Sequence, residues 1–149
     1  MADPSDCLLD TNILLRLSRP QDPAFAAIQS SISDLRVHGT QIFYSLQTVA
    51  EFWNVATRPL DRNGYGLSPR EANILVQSIE QTMTLLPDDP RTFAAWRSLV
   101  LENNVSGAQV HDARLAALML VHHVEAILTL NPSDFRRYPG LRVIVPALA

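Results

Sequence analysis

The sequence predicts an α/β fold in which a parallel sheet is covered by helices on both faces. Apolar runs of strand length alternate with longer segments of helical period, the pattern of βαβ units. No internal repeat, low-complexity tract or linker interrupts that alternation, so residues 1–149 read as a single domain. A chain of this length buries roughly 68–70% of its unfolded surface, enough for a substantial core.

Each element has its own signal. Cys7 to Leu9 is the first strand, and it stops on Asp10, Thr11 and Asn12 before the sequence turns apolar again. An aspartate there is either a helix cap or part of a charged site at the sheet's edge. Pro23 to Leu35 is a helix, with Phe25, Ala26, Ile28, Ile32 and Leu35 at helical spacing. "QIFYS" is the second strand. Its Ser45 caps the helix "LQTVAEFWNVAT", where Leu46, Val49, Ala50 and Trp53 form the apolar stripe. "RPLDRNGYGL" is a loop marked by Pro59, Gly64 and Gly66.

"SPRE" starts the next helix with Ser68 as cap, Pro69 at the first helical position and Glu71 closing a capping box. "TLLP" is the third strand, and Asp89 caps a helix through "PRTFAAWRSLVLENN". After the "VSGAQ" turn, "VHDARLAALMLVHH" is apolar on nearly every side from Ala113 onward, which marks a buried helix. "AILTL" is the fourth strand, "NPSDFRRYPG" a turn-rich connection and "LRVIV" the fifth strand.

Composition narrows the chemistry. The net charge of −3 does not advertise nucleic-acid binding, but all twelve basic residues are arginine and none is lysine. Mechanisms that require a lysine are excluded, while bidentate phosphate recognition is not. A genome-wide codon preference would produce the same bias. The lone Cys7 allows no internal disulfide and fits a reducing, cytoplasmic setting. Asp3 and Asp6 at the start, without a basic flank, do not read as a signal peptide. No apolar run approaches the roughly 18 residues of a membrane span.

Four acids sit where acids are costly or informative. In a parallel sheet, ligands bind beyond the carboxyl ends of the strands. Asp10 ends the first strand there; Asn131 follows the fourth, with Asp134 three residues on. Glu51 lies between Ala50 and Phe52 in a helix that must pack on the sheet, and Asp112 opens the most apolar helix. Carboxylates are rarely buried without a cation. The nearest arginines, Arg58 and Arg114, are too few to neutralise such a group. Taken singly, Asp112 is explained as well by the helix dipole, Glu51 by a solvated strip and Asp10 by capping. Converging at one rim, they would repel unless a divalent cation joined them, and oxygen ligands suit Mg²⁺ or Mn²⁺ rather than zinc. His111 points away from its neighbour Asp112 on a helix and reads as peripheral; His122 and His123 read as a polar helix end.

These residues resemble the PIN-domain family, and specifically the VapC-type ribonuclease toxins of bacterial toxin–antitoxin pairs. "LLDTNILL", "SLQTVAEFWNVATRP", "HDARLAAL" and "ILTLNPSDFRRYPGLRVIVP" carry the resemblance in order along nearly the whole chain. It implies a three-layer α/β/α sandwich around a parallel sheet of four to five strands, and a metal-dependent endoribonuclease. Asp10, Glu51 and Asp112 match the family's three acidic positions. Thr11 and Asn12 match the residues that brace the first acid, and Thr129 the residue two before the fourth site. That fourth position, often aspartate, is here Asn131, which offers a carbonyl oxygen but no charge; Asp134 partly compensates. Arg58, Arg62, Arg136 and Arg137 are candidates to contact RNA phosphates. The resemblance further implies Mg²⁺ or Mn²⁺ as cofactor, RNA as substrate, a cognate antitoxin as inhibitor and a homodimer, to which Phe52, Trp53 and Tyr65 could contribute.

Two alternatives belong to other classes. A haloacid-dehalogenase-like Mg²⁺-dependent phosphatase also places an aspartate after its first strand. It usually has a second aspartate where this chain has Asn12, and usually needs a lysine. A catalytically inactive PIN-fold binding module would not need to keep all three core acids.

Overall fold

Five parallel strands form one sheet in the order β3-β2-β1-β4-β5: β1 (Asp6–Leu9), β2 (Gln41–Ser45), β3 (Thr84–Leu86), β4 (Ala126–Leu128) and β5 (Arg142–Ile144). The structure, a computed structural model, describes residues 2–148. Cys7 pairs with Ile42 on one side and with Ala126 on the other, so β1 is the central strand. Its apolar residues Cys7, Leu8 and Leu9 are fully buried, as are all three residues of β4. Continuous apolar sequence is what a strand covered on both faces requires.

Successive side chains point to opposite faces and sort the core into two layers. Cys7 and Leu9 face α1 (Thr11–Leu17), α2 (Phe25–Val37), α3 (Leu46–Thr57) and α4 (Pro69–Thr82). Leu8 and Ile127 face α6 (Val110–Val121), where Leu115, Leu118 and Met119 meet them. Over α6 lies α5 (Thr92–Glu102), packed through Leu99 on Ala113, Ala116 and Ala117. The three-layer α/β/α architecture is therefore as expected, with the full five strands.

Local sequence explains the boundaries. Ser45 and Thr48 form a reciprocal capping box at α3, and Ser68 and Glu71 form another at α4. Gly64 sits so close to the end of α3 that a Cβ would lie 1.9 Å from the Arg58 carbonyl oxygen, so only glycine closes this turn.

Three expectations need correction. The sequence marks no helix at α1 and offers a cap or a charged site as alternatives for Asp10; the structure forms α1, with Asp10 both capping it and standing at the sheet's edge. Its backbone is extended (ψ 159°), its carbonyl accepts from Ile13 and Leu14, and its carboxylate accepts from the Thr11 N–H. Next, the buried residues of α3 are Thr48, Phe52 and Ala56, while Leu46 is 56% exposed and Ala50 lies outward. The stripe was displaced because Leu46 stands at the first helical position, over the rim rather than over the sheet. Finally, Asp89 does not cap α5 directly. It bends the chain ahead of the helix by accepting from the Arg91 N–H at 2.8 Å, while Arg91 occupies the cap position.

Candidate active site

The strand order runs outward from β1 through β2 to β3, then returns to place β4 on the other side of β1. The crevice of such a sheet opens where the order reverses, here beyond the carboxyl ends of β1 and β4. Asp10 follows β1 and Thr129 follows β4.

Asp10 is 8% exposed and held by three donors. Its Oδ1 accepts from the Thr11 N–H at 2.8 Å, and its Oδ2 accepts from Thr129 Oγ1 at 2.7 Å and Asn12 Nδ2 at 3.3 Å. Burial raises its pKa above the ordinary carboxylate value. The hydrogen bonds from Thr129 and Thr11 oppose that shift, and the charges of Glu51 and Asp134 add to it.

Thr11 links two of the acids. Its N–H serves Asp10 while its hydroxyl donates to Glu51 Oε2 at 2.8 Å. The other Glu51 oxygen accepts from Gln47 Nε2 at 3.1 Å, and the same amide nitrogen reaches the His111 carbonyl at 2.8 Å. Glu51 is thus half-buried at the rim rather than on a solvated strip. Asn12 closes the other side, its Oδ1 accepting from the Leu130 N–H at 3.2 Å.

Asp112, half-buried in the first turn of α6, has its pKa pushed up to about 7. Desolvation is the largest cause, followed by the charges of Asp134, Asp10 and Glu51; Arg137 pulls weakly the other way. Four carboxylates therefore share one electrostatic field. Ion pairs among the described residues join Arg16 to Asp22, His38 to Asp3 and Arg91 to Asp89, and none of them reaches this group. Also among the described residues, no three acidic, histidine or thiol side chains are gathered as a finished metal cage.

The residue family model for the PIN domain matches residues 7–141. The chain belongs to the PIN-domain family. This PIN domain is 31% identical over 145 residues to ribonuclease VapC31 of Mycobacterium tuberculosis, covering 95% of its own length and 99% of the relative's. Its fold is similar to VapBC2 from Rickettsia felis, solved bound to a DNA fragment from its promoter, with a TM-score of 0.70 and 14% identity over 94% of this chain and 98% of that one. A second similar fold is VapC20 of M. tuberculosis, described as a sarcin-ricin loop cleaving toxin (TM-score 0.59, 15% identity, 81% and 86% coverage). A toxin–antitoxin complex from Klebsiella pneumoniae is a third (TM-score 0.62, 22% identity, 96% and 99% coverage).

Other residues of this PIN domain fall into two groups. Asn131 is exposed, and its N–H donates to Thr129 Oγ1 at 3.0 Å. Asp134, in a 3-10 turn at Pro132–Asp134, is the fourth acid whose charge reaches both Asp10 and Asp112. Arg137 is close enough to act on Asp112, and Arg136 beside it is exposed. Arg58 and Arg62 were expected near the rim but follow the far end of α3, about 10 Å of helix beyond Glu51. Arg58 donates to the Asn63 carbonyl within its own loop. Phe52 is fully buried and so cannot serve a dimer contact, and Trp53 and Tyr65 pack partly against the same core.

Gln47 was missed by the sequence reading. It stands four residues before Glu51 on the same helix, and that spacing alone was enough to flag it. Tyr138 was also missed: it is 1% exposed, Arg137 stands beside its hydroxyl, and it lies within the field of Asp112 and Asp134.

Proposed function

We propose that this PIN domain is a Mg²⁺- or Mn²⁺-dependent endoribonuclease and the toxin of a type II toxin–antitoxin pair, acting in the cytoplasm. The observation that carries the reading is Asp112. Its carboxyl group is driven to about pKa 7 by burial and by three neighbouring acids, and no ion pair among the described residues reaches the group. Acids whose charges act on one another with no cation among them favour a site that takes up a cation. The curated relative VapC31 is a ribonuclease, which supports RNA as the substrate.

The donors fit a hard divalent ion, because every candidate ligand offers oxygen: Asp10, Glu51, Asp112, Asp134 and the Asn131 carbonyl. When bound, such an ion supplies an acidified water and neutralises charge building on the phosphate. The protein's own part is orientation. Thr11, Asn12 and Thr129 fix the Asp10 carboxylate, and Thr11 and Gln47 fix Glu51, so neither acid must reorganise as charge develops. Arg137, whose charge acts on Asp112, and the exposed Arg136 beside it are the cations that would meet a phosphodiester at this site. No nucleophilic side chain is required.

An acidic rim attracts a basic group from a partner, which supports an antitoxin that covers it. A homodimer is part of the same reading. Expressing the chain alone and with the product of the adjacent upstream gene tests it. Growth arrest that the partner relieves and Asp10→Ala abolishes is the expected result. No arrest, and no cleavage of any RNA with Mn²⁺, would show the chain to be an inactive binding module.

A further inference from the structure

Beside the acidic site lies a cavity of about 410 Å³, within the roughly 300–1,000 Å³ range of small-ligand sites. Its lining includes Gln47, Asp88, Thr92, Phe93, Trp96 and Arg114. Two features tie it to the site. Gln47 both lines the cavity and holds Glu51, and Arg114 follows Asp112 by two residues on α6.

The lining combines an aromatic platform with unspent polar groups. Phe93 and Trp96 lie one turn apart on α5, their rings nearly parallel (20°) with centroids 6.4 Å apart. The Trp96 indole N–H is committed to the Val110 carbonyl at 2.9 Å, which fixes the ring against the start of α6. Phe93 is 61% exposed, and the Arg97 guanidinium lies over its ring, 4.5 Å from the centroid. The side-chain oxygen of Thr92 is buried without a hydrogen-bond partner among the described residues. Arg114 is exposed and outside every ion pair among the described residues. Both oxygens of Asp89 are taken by Arg91, which leaves the exposed Asp88 as the available carboxylate.

We propose that this cavity is the subsite for one unpaired base of the RNA, next to the cleaved phosphodiester, and that it favours guanine. The proposal rests on the ribonuclease reading above. Single-stranded RNA is recognised by bases splayed out and stacked on aromatic rings, with hydrogen bonds to their edges. Guanine carries two neighbouring donors, N1–H and N2–H, which match the two oxygens of the Asp88 carboxylate. Its O6 and N7 are acceptors that an arginine such as Arg114 can serve. Uracil offers one donor on the corresponding edge, and its smaller ring stacks over less of the platform.

The test uses the trinucleotides UGU, UAU, UCU and UUU, titrated in EDTA so that no cleavage occurs. The readout is the Trp96 indole N–H signal in NMR, assigned by its persistence in Trp53→Phe. UGU should shift it and bind about tenfold tighter than UUU. Asp88→Asn should bring that ratio to within about twofold, and Phe93→Ala should weaken all four RNAs by about tenfold. Both side chains are exposed, so neither variant threatens folding. If no trinucleotide moves the signal, or if all four bind alike, the subsite is overturned even when the wild type cleaves RNA with Mn²⁺. If UGU binds as stated but wild type cleaves nothing, the ribonuclease reading fails and the base site stands.

Discussion

Thr129 and Asp10, 119 residues apart in sequence, are joined by a 2.7 Å hydrogen bond from the threonine hydroxyl to Asp10 Oδ2. The bond ties the end of β4 to the end of β1 at the point where strand order reverses. Thr129 is fully buried, so no water replaces it. Thr129→Val should cost about 1–3 kcal/mol of stability in urea unfolding, because it leaves a buried carboxylate oxygen short of a donor. It should also weaken Mn²⁺ binding by about tenfold or more, as loss of a ligand's supporting hydrogen bond does. Thr129→Ser keeps the hydroxyl and should restore much of both. A loss in the Ser variant with none in the Val variant would mean that the methyl group, not the hydroxyl, matters.

Stability without metal should fall as pH rises. The Asp112 carboxyl keeps its proton to about pH 7 in the folded chain, against an ordinary value of 3.8. Between those values the folded state binds more protons than the unfolded state, so the contribution present at low pH is lost as pH approaches 7. Asp10, shifted in the same direction, adds to the slope. Melting temperatures in EDTA should therefore decline from pH 5 to pH 8. Asp112→Asn should flatten that decline, and millimolar Mg²⁺ should reverse it. A melting temperature that climbs across this range would contradict the assigned field.

Calorimetry with Mn²⁺ should show binding to the wild type and at least a tenfold loss for Asp10→Asn, with the folded state retained. The asparagine preserves the shape of the helix cap and can still accept from Thr11. Indistinguishable titrations would remove Asp10 from the metal site.

Asp134 and Asn131 should behave differently. The Asp134 charge reaches both Asp10 and Asp112, whereas Asn131 is exposed and carries none. Asp134→Asn should weaken Mn²⁺ binding severalfold and lower the Asp112 pKa, read by carboxyl NMR in EDTA. Asn131→Asp should strengthen Mn²⁺ binding and raise RNA cleavage. The reverse ranking would make Asn131 the direct ligand through its carbonyl oxygen.

The layer architecture and the identity of the acids were written locally. Continuous apolar strands such as "CLL" and "AIL" can only be stable between two covering layers, and the Ser45 and Ser68 caps mark helix starts without tertiary help. Asp10, Glu51 and Asp112 stood out only as a set, because each alone reads as well as a cap, a solvated strip or a first-turn acid. What sequence could not supply was direction and distance. Seven residues of α1 form a helix too short to be stable alone, and it exists because Ile13 and Leu14 bury against the sheet. Which face of α3 turned inward depended on how α1 and α4 packed beside it, so Phe52 entered the core and Glu51 reached Thr11. Arg58 and Arg137 look equivalent in sequence, yet the run of α3 away from the rim separates them. Only the tertiary structure sets such separations, because electrostatic coupling depends on distance through space and on burial, neither of which is local along the chain.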